Sequence, residues 1–351
     1  MPSKLDIRKV KADLDAFLHD ISGGTIKSLG EPVRLTGGFD TDIFKFNVAG
    51  NNAAIPSELV LRVFGSNNDT NKVVKESLIH KRANGAGYPV PAVPFDSESS
   101  LIHDRNFIIM EYVDGKPYGD FLDDPTVLAQ APIETARLQA KINSTSAAGL
   151  ISALTERGID VGKITPKPML DRVVRVAEGA HIADLTALAD WLSTNWPKQP
   201  AVPSICHGDF HPNNILVKDG KPVSVIDLGG TVFSHPEFDV AITNLILTIG
   251  PPDVPIDQRE LMKPILQQFS KSYLDEYRKH LELNTDLISY YTVLRSVHGF
   301  SRVVASRINL AKELQARENY PWGHPIFFER LREVVLENVE IDLADIDATL
   351  A

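Results

Sequence analysis

The segment ICHGDFHPNNIL, residues 205–216, carries two histidines, an aspartate and two asparagines between apolar ends. Two chemistries fit it. His207, Asp209 and His211 alternate, and on a β-strand that alternation would place all three on one face as metal ligands. Asp227 or His235 would then complete a metallohydrolase centre that needs no nucleotide. The same stretch also reads His-x-Asp-x-x-x-x-Asn, through His207, Asp209 and Asn214, followed by a strand pair and Asp227. Phosphoryl transfer needs one carboxylate against the acceptor hydroxyl, with a second carboxylate and an amide oxygen on the magnesium that bridges the phosphates. A spacing of five from Asp209 to Asn214 lets one tight loop present both groups, and Asp227 closes on the metal from the other side.

The elements that must hold these residues come in two styles. Leu5, Val10, Leu14, Phe17 and Leu18 recur at helical spacing and stop before Gly23-Gly24, predicting an opening amphipathic helix. Strands are expected at 33–35, 43–48, 59–64 and 107–112, with a helix at 70–83 that the Gly- and Pro-rich NGAGYPVP ends. After DGKP, residues 114–117, helical periodicity dominates: 126–142, 183–192, 240–249, 261–277, 287–310 and 327–337. A short strand pair at 215–217 and 223–226 turns at Asp219-Gly220.

The whole chain bounds the class. Its 351 residues suit one large or two medium domains. No apolar run approaches the roughly 18 residues of a membrane span and no signal-peptide pattern opens it, so a soluble, cytoplasmic protein without a membrane partner is expected. A single cysteine, Cys206, excludes an internal disulfide framework and reads as a small buried hydrophobe. The net charge of −10 argues against a nucleic-acid partner and tolerates a cationic small substrate.

HGDFHPNN followed by VIDLGG resembles the aminoglycoside phosphotransferase and choline kinase superfamily, small-molecule kinases with a protein-kinase-like fold. Further motifs follow in the family's order. LTGGFDTDIFKF, with Gly37 and Gly38, resembles the Gly-rich hairpin over the phosphates. LVLRVFG resembles the strand bearing the phosphate-binding cation, here Arg62 where many members have lysine, and Glu76 falls 14 residues later on the next helix. FIIMEYVDG resembles the hinge, where Met110, Glu111, Tyr112 and Val113 would offer backbone groups to adenine.

The resemblance implies an α+β, bilobal, protein-kinase-like fold with a small antiparallel-sheet N-lobe and a larger, mostly helical C-lobe. Residues 1–112 would form the nucleotide-binding lobe, 113–117 the hinge, and 118–351 the lobe with the catalytic loop and acceptor site. It further implies ATP as phosphate donor, with GTP left open, and Mg²⁺ held by Asn214 and Asp227. Asp209 would orient the acceptor hydroxyl and take its proton late. Arg62, held by Glu76, would orient the α- and β-phosphates. His207, His211 and Pro212 would shape the loop, Asn213 would point away from the metal, and Asp239 would tie the following helix to the catalytic loop. HGD stands where protein kinases carry HRD, and only nine residues separate Gly229 from Asp239, too few for a polypeptide-docking platform, so a small-molecule acceptor is expected. Arg295, Arg302, Arg307 and the aromatic segment at 319–328 are candidates to meet it. A nucleotide-binding protein that has lost transfer is the other alternative, and the oligomeric state is left open.

Overall fold

A computed structural model describes residues 5–35, 41–50, 55–65, 70–97, 101–121, 123–249, 256–316 and 325–350. The chain divides into two compact units, one formed by Met1–Asp120, Leu150–Ile159 and Asn213–Gly229, the other by Phe121–Gly149, Asp160–Pro212 and Gly230–Ala351.

The first unit opens with α1 (Ile7–Ser22). The Asp6 side chain caps it by accepting from the Arg8 amide, and Gly23, at φ +60°, ends it in the left-handed conformation that glycine adopts without strain. Strands β1 (Ile26–Leu35), β2 (Thr41–Gly50) and β3 (Glu58–Phe64) follow, then α2 (Thr70–Gly85), β4 (Phe95–Asp96) and β5 (Phe107–Glu111). These strands form an antiparallel sheet in the order β1-β2-β3-β5-β4. Strand β1 is longer than its periodicity predicts. A register shift between Leu29 and Val33, with Gly30 at φ +69°, breaks the alternation, so only its last residues look like a strand.

Val10, Leu14, Phe17 and Leu18 of α1 pack on one face of this sheet, against Phe44, Leu59, Leu61, Val63, Phe107 and Ile109. The Phe17 ring meets Phe107 edge to face at 4.9 Å. The other face carries Val60, Phe64, Ile108 and Met110 and packs with Val73 of α2. Later in the chain β6 (Lys116–Pro117) pairs with β8 (Ile215–Lys218), which pairs in turn with β9 (Lys221–Val225). Asp219 and Gly220 both have positive φ, the primed turn that the Asp-Gly dipeptide favours.

The second unit is helical: α3 (Pro125–Asn143), α5 (Lys167–Ala180), α6 (Ala183–Thr194), α7 (Pro236–Ile249), α8 (Ile256–Tyr277), α9 (Thr285–Arg307), α10 (Pro325–Asn338) and α11 (Ala344–Leu350). Helix α4 (Ala148–Glu156), most of which belongs to the first unit, precedes α5, and β7 (Ser204–Cys206) of the second unit pairs antiparallel with β10 (Val232–Ser234). Tyr291, Leu294, Val297 and Phe300 of α9 are buried in the main core together with Val173 of α5, Ala241 of α7 and Leu331 of α10. Helix α5 is absent from the sequence reading because prolines 166 and 168 resemble a loop. It nevertheless buries Leu170, Val173, Val176 and Ala177 on one face. No helix among the described residues is long and apolar enough to cross a membrane. The fold is α+β with an N-terminal antiparallel sheet and a mostly helical remainder.

Candidate active site

Strand alternation decides where Arg62 goes. Leu59, Leu61 and Val63 of β3 face the α1-side core, so Arg62 emerges on the face that α2 covers. There Nη1 forms an ion pair with Oε1 of Glu76, a buried residue of α2. Nη2 lies 3.3 Å from Oδ1 of Asp227, and Nε donates to Thr41 Oγ1 at 3.3 Å. One guanidinium thus joins a helix carboxylate to the candidate metal-binding carboxylate, a task its planar fork suits better than a lysine ammonium would.

Asp227 follows β9 with φ +62°, a conformation uncommon outside glycine, and its side chain is half-exposed. The Ile226 amide donates to the Asn214 carbonyl at 2.9 Å, which brings the two candidate metal-binding segments together. A carboxylate and an amide are hard oxygen donors, and a site with only these two leaves the positions that Mg²⁺ fills with phosphate oxygens and water. The residues therefore fit magnesium. Neighbouring Asn213 turns elsewhere, accepting from the Gly119 amide at 3.0 Å.

One neighbour was not foreseen. Lys75, directly before Glu76, donates from Nζ to the Gly229 carbonyl at 2.8 Å, and burial pulls its pKa down. Its adjacency to Glu76 on the helix is the sequence signal that points to it. Gly229 itself leaves room for Glu76: a Cβ there would stand 3.2 Å from Oε2.

In the hinge segment the Glu111 amide donates to the Ala92 carbonyl at 2.8 Å and the Tyr112 amide to the Glu58 carbonyl at 3.1 Å. The Tyr112 ring lies under Lys45 Nζ at 3.5 Å from its centroid, and Met110 belongs to the apolar cluster on the α2 face. Gly37 and Gly38 lie outside the described residues.

The second unit holds Asp209. Strand β7 ends at Cys206, so residues 207–211 are loop and the His207-Asp209-His211 alternation does not set three ligands on one strand face. His207 is buried with its ring edge-on to Phe210 at 5.2 Å, whereas His211 Nε2 is 3.9 Å from Asp209 Oδ2. Among the described residues no group of three or more His, Cys, Asp or Glu is placed to hold a metal ion. Gly208, at φ +81°, allows a contact no other residue would: a Cβ there would lie 2.1 Å from the Gly230 carbonyl oxygen. Buried Asp239 accepts from the His207 and Gly208 amides, each at 2.7 Å. The Asp209 carboxylate remains half-exposed. Burial raises the Cys206 thiol well above its ordinary value, which removes it as a nucleophile.

The arginines named for the acceptor do not share one environment. Arg307 is exposed, Arg302 donates to the Gln315 carbonyl at 3.1 Å, and Arg295 lies over the Phe238 ring at 5.8 Å. Of the aromatic segment, residues 319–324 lie outside the described residues, Phe327 is buried, and Phe328 meets Phe300 edge-on.

Acyl-CoA dehydrogenase family member 11 of Pongo abelii is 27% identical over 179 residues, 48% of this chain and 22% of that protein. The Homo sapiens counterpart is 25% identical over the same length, so the chain spans only about a fifth of these relatives. A crystal structure of a variant of aminoglycoside phosphotransferase APH(4)-Ia, in ternary complex with ADP and hygromycin B, superposes with a TM-score of 0.57 at 17% identity, covering 93% of this chain and 99% of that one. Macrolide 2'-phosphotransferase MphH from Brachybacterium faecium gives 0.53 at 15% identity, covering 94% and 99%. At these identities the likeness shows the fold alone. Residues 32–272 match the model of the phosphotransferase enzyme family, and the chain belongs to that family.

Proposed function

We propose that the protein transfers the γ-phosphoryl group of ATP to a hydroxyl of a small molecule, an aminoglycoside-like antibiotic, an amino alcohol or a sugar-like metabolite. The observation that carries this reading is the bridge from Glu76 through Arg62 to Asp227, with Asn214 tied to the same loop. These are the phosphate- and metal-holding groups that phosphoryl transfer requires.

Arg62, braced by Glu76, orients the α- and β-phosphates. Gly37 and Gly38 serve the γ-phosphate, and adenine is read by the hinge at Met110, Glu111, Tyr112 and Val113. The amides of Glu111 and Tyr112 are engaged within the protein, so the backbone of Val113 is assigned as the donor to the base. Asn214 and Asp227 hold Mg²⁺, which when bound offsets the charge that develops on the phosphate oxygens. Asp209 aligns the acceptor hydroxyl: its oxygen bonds to γ-phosphorus as the bond to the β–γ bridging oxygen breaks, ADP leaves, and Asp209 takes the proton. The half-exposed carboxylate suits such contact with a diffusible acceptor. The APH(4)-Ia complex, with ADP and hygromycin B together, supports a small-molecule acceptor.

The test is calorimetry of ATP and GTP with and without Mg²⁺, followed by a transfer screen over aminoglycosides, macrolides, amino alcohols and sugars. Asp209→Ala should bind MgATP as the wild type does and lose transfer by ~10³-fold. Asp227→Ala should weaken magnesium-dependent binding by about 100-fold. Preserved turnover in the first variant, or binding indifferent to magnesium in the wild type, sinks the reading.

A further inference from the structure

Asp239 and Thr243 stand one turn apart on α7 and hold the backbone on both sides of Asp209. Asp239 accepts from the His207 and Gly208 amides, and Thr243 Oγ1 donates to the Phe210 carbonyl at 2.7 Å. Each is held in turn by α3, where Asn143 Nδ2 donates to Asp239 Oδ2 at 2.9 Å and Gln139 Nε2 to Thr243 Oγ1 at 2.9 Å. A third row stands on α8: the Tyr277 hydroxyl donates to Asn143 Oδ1 at 2.8 Å, and the Tyr273 hydroxyl donates to Gln139 Oε1. The pairs 139/143, 239/243 and 273/277 all have the i, i+4 spacing of one helix face, and all six side chains are buried.

Chemistry fixes the direction of both chains. A carboxylate in hydrogen-bonded contact with two amides only accepts, so Asn143 must turn its NH₂ to Asp239 and its oxygen to Tyr277. The Phe210 carbonyl likewise only accepts, so the Thr243 proton goes there, and Gln139 must donate to Thr243. Burial raises both phenols above their ordinary value, which keeps them donors. Donors aligned head to tail in a buried setting strengthen one another.

We propose that Gln139, Asn143, Tyr273 and Tyr277 are positioning residues for the Asp209 loop, acting through Asp239 and Thr243. A buried polar network costs desolvation that well-packed apolar side chains would avoid, so stability alone gives little reason for it. What it adds is a single arrangement of residues 207–210, and transfer is sensitive to that arrangement because a displacement of about 1 Å costs roughly 100-fold in rate. The consequence for turnover rests on the proposed transferase function. The positioning itself does not.

Tyr277→Phe and Tyr273→Phe, compared with Leu247→Ala, form the test. Leu247 lies in the same apolar cluster as both tyrosines and makes none of these bonds. In ¹⁵N-labelled protein, Tyr277→Phe should shift the amide resonances of His207 and Gly208 and speed their hydrogen exchange, and Tyr273→Phe should shift those around Phe210. Leu247→Ala should lower Tm without moving either set. With the acceptor returned by the transfer screen, kcat should fall about 10-fold or more in each tyrosine variant while KM for ATP stays within about twofold. Loop amides unmoved in both tyrosine variants, with a loss of Tm like that of Leu247→Ala, overturn the inference. A transfer screen that returns no acceptor sinks the proposed function and leaves the amide result to judge the ladder by itself.

Discussion

The supports of Asp227 and of Asp209 are built from opposite materials. Around Asp227 the groups are ionic and open to solvent in part: Arg62 shared between Glu76 and Asp227, with Lys75 on the neighbouring carbonyl. Around Asp209 they are buried: two amides, two phenols, a threonine and one carboxylate that meets backbone N–H groups. Under the proposed function the first region would change partners when a nucleotide and its cation arrive, since Asp227, now bonded to Arg62, would then serve the metal. The Arg62–Asp227 contact, half-exposed at its carboxylate, exchanges at less cost than the buried Arg62–Glu76 pair. Under the proposed function the second region has only to keep one carboxylate on one line, which buried hydrogen bonds do well.

The largest effect that separates the two regions is expected at Gly208. An added methyl would stand 2.1 Å from the Gly230 carbonyl oxygen, and the residue would also keep φ near +81°. Both backbones would have to give way, so Gly208→Ala should cost at least about 3 kcal/mol of folding stability and remove transfer. Gly229→Ala, in the ionic region, meets the ends of two side chains, Glu76 Oε2 at 3.2 Å and Asp227 Oδ1 at an ordinary 3.6 Å, and should be tolerated far better. Urea unfolding of the two variants checks this. Equal losses would mean that the rigid and adjustable regions are not distinct.

Much of the ionic region could be read from the sequence, because its residues sit in compact motifs: Arg62 in a strand, Glu76 at a fixed distance on the next helix, Asp227 after a hairpin. The alternation of β3 and the Asp-Gly turn follow from local rules, and local rules survive folding. The ladder behind Asp209 could not be read in this way. Gln139, Asn143, Tyr273 and Tyr277 lie on helices that long stretches of chain separate from the motif, and each alone looks like an ordinary helix residue. Only the packing of α3, α7 and α8 turns three i, i+4 pairs into rows. At 207–211 the alternating polar residues leave a strand and a loop both open in the sequence, and the structure has the loop. Strand β7 ends at Cys206, before the alternation begins, and Gly208 in the left-handed region keeps the following residues off a strand path.

A middle-sized effect should sharpen the picture of the ionic side. Glu76→Gln keeps the shape and removes one of the two anions that hold Arg62, so the guanidinium should lean toward Asp227 and compete with the metal. Nucleotide affinity in the presence of magnesium should fall about tenfold, about 1.4 kcal/mol, with kcat changed less. Raising magnesium should recover part of the loss, because the cation displaces Arg62 by mass action. Calorimetry across a magnesium series checks it, and an affinity loss that magnesium leaves unchanged would mean that Glu76 does not act through Asp227.

The smallest effect lies where ionic and neutral supports meet on one seam. Glu276, beside Tyr277 on α8, accepts from Lys279 Nζ at 2.6 Å and from Arg137 Nε of α3 at 2.7 Å. These bonds, the Lys279 one first, hold its carboxyl at about 2 instead of the ordinary 4.5. A depressed carboxylate pKa contributes stability in full above 4.5, and that contribution is lost as pH falls through about 2. Both cationic partners are largely exposed, which limits the contribution to about 1 kcal/mol. Glu276→Gln should therefore be about 1 kcal/mol less stable than the wild type at neutral pH, and the two should converge as the pH approaches 2. Turnover should not change, because the rows inside the seam remain intact. If Glu276→Gln instead lowers kcat as much as Tyr277→Phe does, then the ionic rim of the α3–α8 seam, and not its neutral interior, sets the line of Asp209.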